Sequence, residues 1–114
     1  MQKLLIANRG EIAIRIARAA AELGIFSVAI YPDDDATSLH TKRANASVLI
    51  PGVGAKAYLD QEAVLNVARE HKVDAIHPGY GFLSENADFA EACDKAGIRF
   101  VGPTASQLRQ FGDK

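Results

Sequence analysis

Three short segments concentrate the residue types that bind ligands or move protons. The first is Asn8-Arg9-Gly10-Glu11, which follows an apolar run and opens a helical pattern. A turn so placed can hold an anion, because unpaired backbone N–H groups and the helix dipole both favour negative charge there. A dinucleotide fingerprint, however, needs G-x-G-x-x-G, and a single glycine stands here. Glu11 in the first turn suits the dipole but opposes a bound anion. On local sequence the segment reads more readily as a structural turn.

The second segment, His77-Pro78-Gly79-Tyr80-Gly81-Phe82-Leu83-Ser84-Glu85-Asn86, is denser in unusual residues. Pro78 fixes the backbone while Gly79 and Gly81 free it, which suits a shaped loop rather than a loose linker. Tyr80 and Phe82 can offer aromatic faces beside exposed backbone N–H groups. Ser84 is placed to cap a following helix, with Glu85 in its first turn. His77, alone at a strand end, reads first as a hydrogen-bonded core residue; the loop as a whole is balanced between a binding and a structural role. The third segment is Gly102-Pro103-Thr104. No catalytic set is complete: G-x-S-x-G is absent, His40, His71 and His77 lack metal-ligand spacing, and there is no G-x-x-x-x-G-K-[ST] phosphate loop.

Positioning these segments falls to an alternation of apolar strands and helical periods. Residues 3–7 read as a strand, followed by a helix over 11–23 whose apolar set is Ile12, Ile16, Ala19, Ala20 and Leu23, with Gly24 at its C-terminus. FSVAIY, 26–31, is a second strand. Pro32 breaks it, and the acidic run Asp33-Asp34-Asp35 reads as a solvated turn. Thr37 or Ser38 then caps a short helix to about Asn45, and a third strand spans 47–50. After a Gly/Pro-rich connection, Asp60 precedes a helix through His71, with Ala63, Val64, Val67 and Ala68 on one face. A fourth strand at 74–77, a helix over 85–96, a fifth strand at 99–101 and a last helix from Thr104 or Ser106 complete the order. Strict alternation of this kind predicts an α/β fold, a mostly parallel sheet of about five strands with helices on both faces. In such sheets ligands bind beyond the carboxyl ends of the strands, where all three segments fall.

Composition agrees with one ordinary globular domain over residues 1–114. The chain is 48% apolar and 24% charged, enough to bury a core. A net charge of −1 without a dense basic run argues against nucleic acid, and no apolar stretch approaches a membrane span. Cys93 is the single cysteine, expected to be a buried, inert thiol in an Ala-rich helix. With Met1 leading straight into a strand, no signal or transit peptide is expected, and a reducing, cytoplasmic setting is the simplest reading. The chain stops at Phe111-Gly112-Asp113-Lys114 with no terminal polar tail, so a piece of a longer protein is the expectation.

The residues also carry a resemblance. Lys3-Leu4-Leu5-Ile6-Ala7-Asn8-Arg9-Gly10-Glu11-Ile12-Ala13 is similar to the opening signature of biotin carboxylases, and residues 77–86 resemble that family's second signature. Phe100-Val101-Gly102-Pro103 and Gly112-Asp113-Lys114 match further blocks in the same order. The resemblance implies a three-layer, Rossmann-like pre-ATP-grasp domain of an ATP-dependent ligase. The full enzyme uses MgATP and bicarbonate, through carboxyphosphate, to carboxylate biotin on a carrier protein. It further implies that Tyr80 and Gly81 lie near the biotin or bicarbonate pocket, that Lys114 contacts ATP, and that Arg18 and Glu22 serve a homodimer interface. Arg18 and Glu22 also stand at i,i+4, so a solvated intrahelical pair is the simpler alternative.

The family's catalytic base, bicarbonate-binding residues and metal-binding glutamates belong to later parts of its chain. No catalytic residue is therefore expected here, no cofactor should bind this stretch tightly, and it should be inactive alone. Implied partners are the ATP-grasp remainder of the chain, a biotin carboxyl carrier and a carboxyltransferase component, which sets acyl specificity. The alternatives are the pre-domain of another ATP-grasp ligase, such as carbamoyl-phosphate synthase, or a non-catalytic α/β interaction module.

Overall fold

The computed structural model of the chain describes residues 1–102. Its elements are β1 (Lys3–Ile6), α1 (Gly10–Glu22), β2 (Phe26–Tyr31), α2 (Leu39–Arg43), β3 (Ala46–Leu49), α3 (Gln61–Glu70), β4 (Ala75–His77), α4 (Ala87–Lys95) and β5 (Arg99–Phe100), with 3-10 turns at Asp33–Asp35 and Ala55–Leu59. The five strands form one sheet in the order β3-β2-β1-β4-β5, and every neighbouring pair is parallel. The expected last helix from Thr104 or Ser106 lies outside the described residues.

Alternation along β1 divides the interior. Leu5 and Ala7 join Val28, Ile30 and Ile76 in a cluster with α3 and α4, including Val64, Ala68, Phe89 and Cys93. Leu4 and Ile6 turn the other way, onto Ala13, Ala17 and Ala20 of α1. This two-residue period, buried on both faces, is what a parallel sheet sandwiched by helices demands.

Each helix buries the stripe that fits its distance from the sheet. On α3 the expected Ala63, Val64, Val67 and Ala68 are buried, and the Asp60 carboxylate caps the helix by accepting from the Ala63 N–H at 3.1 Å. On α1 the stripe differs from the sequence expectation. Ala13, Ala17 and Ala20 meet the strands, Ile12 and Ile16 are half-buried, and Ala19 and Leu23 are exposed, Leu23 at 75%. Methyl side chains let the helix lie close to the sheet, which pushes the larger apolar residues onto its flank. The start of α4 also moves. Asn86, rather than Ser84, is its cap, accepting from the Phe89 N–H at 2.9 Å, because residues 81–85 are used in a turn closed by Ser84 N–H to Gly81 C=O. Cys93 is fully buried as expected, and burial pushes its thiol up to about 11.

The acidic run is not the solvated turn that its composition suggests. Asp35 is 5% exposed, and its carboxylate accepts from the Arg9 guanidinium at 2.8 Å and the Tyr58 hydroxyl at 2.9 Å. Asp34 accepts the Gly54 N–H. Burial alone would raise the Asp35 carboxyl, but the hydrogen bonds from Tyr58 and Arg9, with the Arg9 charge, outweigh it and hold it below its ordinary value. The same contact, after burial itself, drives the Tyr58 hydroxyl upward. Three segments far apart in sequence thus share one buried charge, and the Ser38 hydroxyl, freed from capping α2, also donates to it at 3.4 Å.

Tyr58→Phe removes one of these donors and leaves a buried carboxylate oxygen without its partner. The expected cost is about 1–3 kcal/mol. It is read as a lower urea midpoint at unchanged slope, whereas Asp33→Ala, on the exposed side of the turn, should stay within about 0.5 kcal/mol of wild type.

Candidate functional site

Strand order reverses at β1, with β2 on one side and β4 on the other. The crevice beyond the carboxyl ends at such a reversal is where open α/β sheets bind ligands. It is formed here by the residues that follow Ile6 and His77, which are paired across the sheet. The first two candidate segments of the sequence therefore meet at one place.

Asn8 joins them. Its side chain is 1% exposed, and its amide nitrogen donates to the Pro78 carbonyl at 2.7 Å and the Tyr80 carbonyl at 2.8 Å. Its amide oxygen accepts the Arg9 N–H at 2.8 Å. Ala7 N–H adds a bond to the His77 carbonyl at 3.0 Å. The first turn is structural in a specific sense: it holds the second loop. Arg9 occupies the N-cap of α1 without capping by its side chain, which instead reaches Asp35 and lies over the Tyr58 ring, 5.9 Å from its centre.

The loop is fixed below and free above. Leu83 is 1% exposed, Phe82 packs on Tyr58 with ring centres 5.5 Å apart, and Phe82 holds a left-handed backbone angle of +48°. Tyr80, between these anchors and Asn8, is 79% exposed. Its main chain is tied inward while its ring faces outward, an arrangement that packing of the domain itself does not require. Gly81 has φ of +71° with nothing near an added Cβ, so its requirement is conformational. Gly79 is the more constrained glycine. A Cβ there would stand 2.7 Å from both the Asn8 amide nitrogen and an Ile12 methyl. Residue type and spacing alone do not single out Gly79 and Asn8 within their segments as site residues. The only available signal was a second glycine one residue before Tyr80, and its meaning depends on what lies opposite.

His77 is half-buried, and its Nδ1 accepts the Gly79 N–H at 3.1 Å. That bond puts the ring proton on Nε2. Burial pushes the imidazole below its ordinary value. It is thus a hydrogen-bonded support of the loop, in line with the simpler reading of it. A groove of roughly 1,110 Å³ runs from this loop along the flank of α1, lined by Ile12, Ile16, Leu23, His77, Tyr80 and Val101 among others.

The remaining sequence candidates are placed as follows. Arg18 and Glu22 are both exposed on α1, and no ion pair joins them; the i,i+4 pair of that helix is Arg15 with Glu11, at 3.4 Å. Lys114 lies outside the described residues. Among the described residues no group of three or more His, Cys, Asp or Glu is placed to hold a metal, and no helix is long and apolar enough to cross a membrane.

The lowered His77 value makes a pH prediction. As pH falls below about 6.5, the unfolded chain takes up the imidazole proton before the folded chain does, so stability declines until the depressed folded value is passed. Urea midpoints between pH 8 and 5 should show this decline in the wild type and a smaller one in His77→Gln; equal declines would place the titration elsewhere.

Comparison with known proteins gives one family. Residues 1–108 match the family model described as the biotin carboxylase N-terminal domain. The chain is 56% identical over 116 residues to pyruvate carboxylase of Staphylococcus aureus, covering all of this chain and 10% of that protein. It is 50% identical over 115 residues to biotin carboxylase 1 of Bacillus subtilis, again covering all of this chain and 26% of that protein. Among solved structures, the biotin carboxylase domain of a single-chain bacterial carboxylase superposes with a TM-score of 0.97 at 59% identity, over all of this chain and 27% of that one. The chain thus spans between about a tenth and a quarter of these relatives. With the order of its parallel strands, its two signature segments meeting at the strand reversal and this match over nearly its whole length, the chain belongs to the biotin carboxylase N-terminal domain family.

Proposed function

We propose that this chain works as one domain of a longer ATP-dependent ligase, which uses MgATP and bicarbonate to carboxylate biotin on a carrier protein. The observation that carries the proposal is the exposed Tyr80 ring, held by an inward-tied backbone at the strand reversal, in a chain of this family. In this reading Tyr80 and the main chain at Gly81 form one wall of the biotin or bicarbonate pocket. The exposed ring supplies contact surface, and the glycine's positive φ lets the chain turn away beneath a ligand. Lys114 is assigned to ATP by the resemblance of its motif alone.

The groups that bind metal and bicarbonate belong to the remainder of the parent protein, so the chain alone is proposed to be inactive. A carrier and a carboxyltransferase component are the further partners, and the single buried cysteine suits a reducing, cytoplasmic setting. Homodimerisation of the parent protein is proposed through Arg18 and Glu22. Both are exposed on α1, and the intrahelical pair that would otherwise account for them is not formed.

The test uses the full-length parent protein, assayed as phosphate release with MgATP, bicarbonate and free biotin. Tyr80→Ala should lower biotin-dependent kcat/KM about tenfold or more, a loss of about 1.4 kcal/mol of transition-state stabilisation, with a nearly unchanged melting temperature. The isolated chain, assayed alongside, should release no phosphate above blank. A Tyr80→Ala protein that is destabilised by several kcal/mol, with every activity depressed in parallel, would make the loop a packing element instead.

A separate measurement addresses the interface. Arg18→Glu should shift the full-length protein toward monomer in sedimentation while leaving it folded, because like charges would then oppose association. An unchanged dimer removes Arg18 from the interface.

A further inference from the structure

We infer that Asn8 is a positioning residue for the biotin-side reaction, acting through Tyr80; the inference rests on the reading of Tyr80 given above. The argument begins with main-chain accounting. Beyond the last paired residue of β4 the chain leaves the sheet, and its carbonyl groups lose their ladder partners. A buried carbonyl such as that of Pro78 costs about 1–3 kcal/mol when it lacks a donor. The Pro78 and Tyr80 carbonyls are both satisfied by one group, the two hydrogens of the Asn8 amide, at 2.7 and 2.8 Å. Each end of the Pro78–Tyr80 segment is thereby tied to the end of β1.

The side chain has no freedom to make these bonds in any other way. Its oxygen is taken by the Arg9 N–H at 2.8 Å, which fixes which end of the amide faces the loop. Gly79 seats directly against it: a Cβ at that position would come within 2.7 Å of the amide nitrogen. The missing Gly79 side chain is the space the amide occupies. Because Asn8 binds the Tyr80 carbonyl while Tyr80 itself stays 79% exposed, it sets the ring's position through the main chain alone. A shift of about 1 Å in a positioning group can cost on the order of a hundredfold in rate.

Asn8→Asp tests this in the full-length parent protein. The aspartate keeps an oxygen for the Arg9 N–H but, when ionised, turns a carboxylate oxygen toward two carbonyls. Biotin-dependent kcat/KM should fall on the order of ten- to a hundredfold at pH 8. It should recover relative to wild type toward lower pH, because the protonated acid again donates one hydrogen bond and burial favours that form. The cycle with Tyr80→Ala is the decisive part. If Asn8 acts through Tyr80, Asn8→Asp should cost less than threefold once Tyr80 is alanine, whereas independent effects would multiply.

Multiplying effects, or an Asn8→Asp protein with biotin-dependent kcat/KM like wild type, would overturn the inference and leave the biotin reading intact. Asn8→Ser, which is smaller and retains one donor, is the second variant. If neither variant folds, Asn8 is required for the sheet edge itself and the positioning role is likewise overturned. Absence of biotin-stimulated ATP cleavage in the wild-type parent protein would instead remove the reading of Tyr80, and this inference with it.

Discussion

A parallel sheet leaves main-chain groups without partners where its strands end, and at the junction of β1 and β4 the Asn8 side chain supplies what the ladder no longer can. The amide contributes both donors to the second loop and its acceptor to the first turn. Much at this edge follows from that arrangement. Gly79 must lack a side chain because the amide stands in its place, and the His77 ring turns its Nδ1 to the Gly79 N–H. Tyr80 can be held without being buried. A loop tied through its main chain can present a side chain to a ligand at little cost in stability, which separates the demands of folding from those of binding.

Beneath the loop lies a second constraint, the buried charge of Asp35. Burying a carboxylate is costly unless donors surround it, and here Arg9, Tyr58 and Ser38 come from three separate parts of the chain. Tyr58 then forms the floor on which Phe82 rests. The two signature segments are thus linked twice, above through Asn8 and below through Arg9, Asp35, Tyr58 and Phe82. His40 extends this lower layer, with Nε2 at 3.1 Å from the Ile30 carbonyl and 3.3 Å from the Tyr58 hydroxyl.

The flank of α1 shows what close helix–sheet packing leaves over. Three alanines bring the helix against Leu4 and Ile6, and the bulkier Ile12, Ile16 and Leu23 line the groove that continues from the loop. The apolar side of this helix is therefore wider than the stripe it buries against the strands.

The alternation of strand and helix, the parallel sheet and the placement of the signature segments at strand ends were all legible in the sequence, because they depend on local periodicity and on the crossovers that parallel strands require. The buried face of α3 and the burial of Cys93 followed for the same reason. Tertiary structure decided the rest. Whether an aspartate in an acidic run is solvated or buried depends on Arg9 and Tyr58, which stand 26 and 23 residues away. Which glycine of Gly79-Tyr80-Gly81 is sterically required depends on Asn8 and Ile12, some 70 residues earlier. Ser84 lost the cap of α4 to Asn86 because a turn consumed the residues between them. Periodicity reports which residues share a face, but it carries no information on what stands opposite that face, and at this sheet edge the opposing groups come from the far end of the sequence.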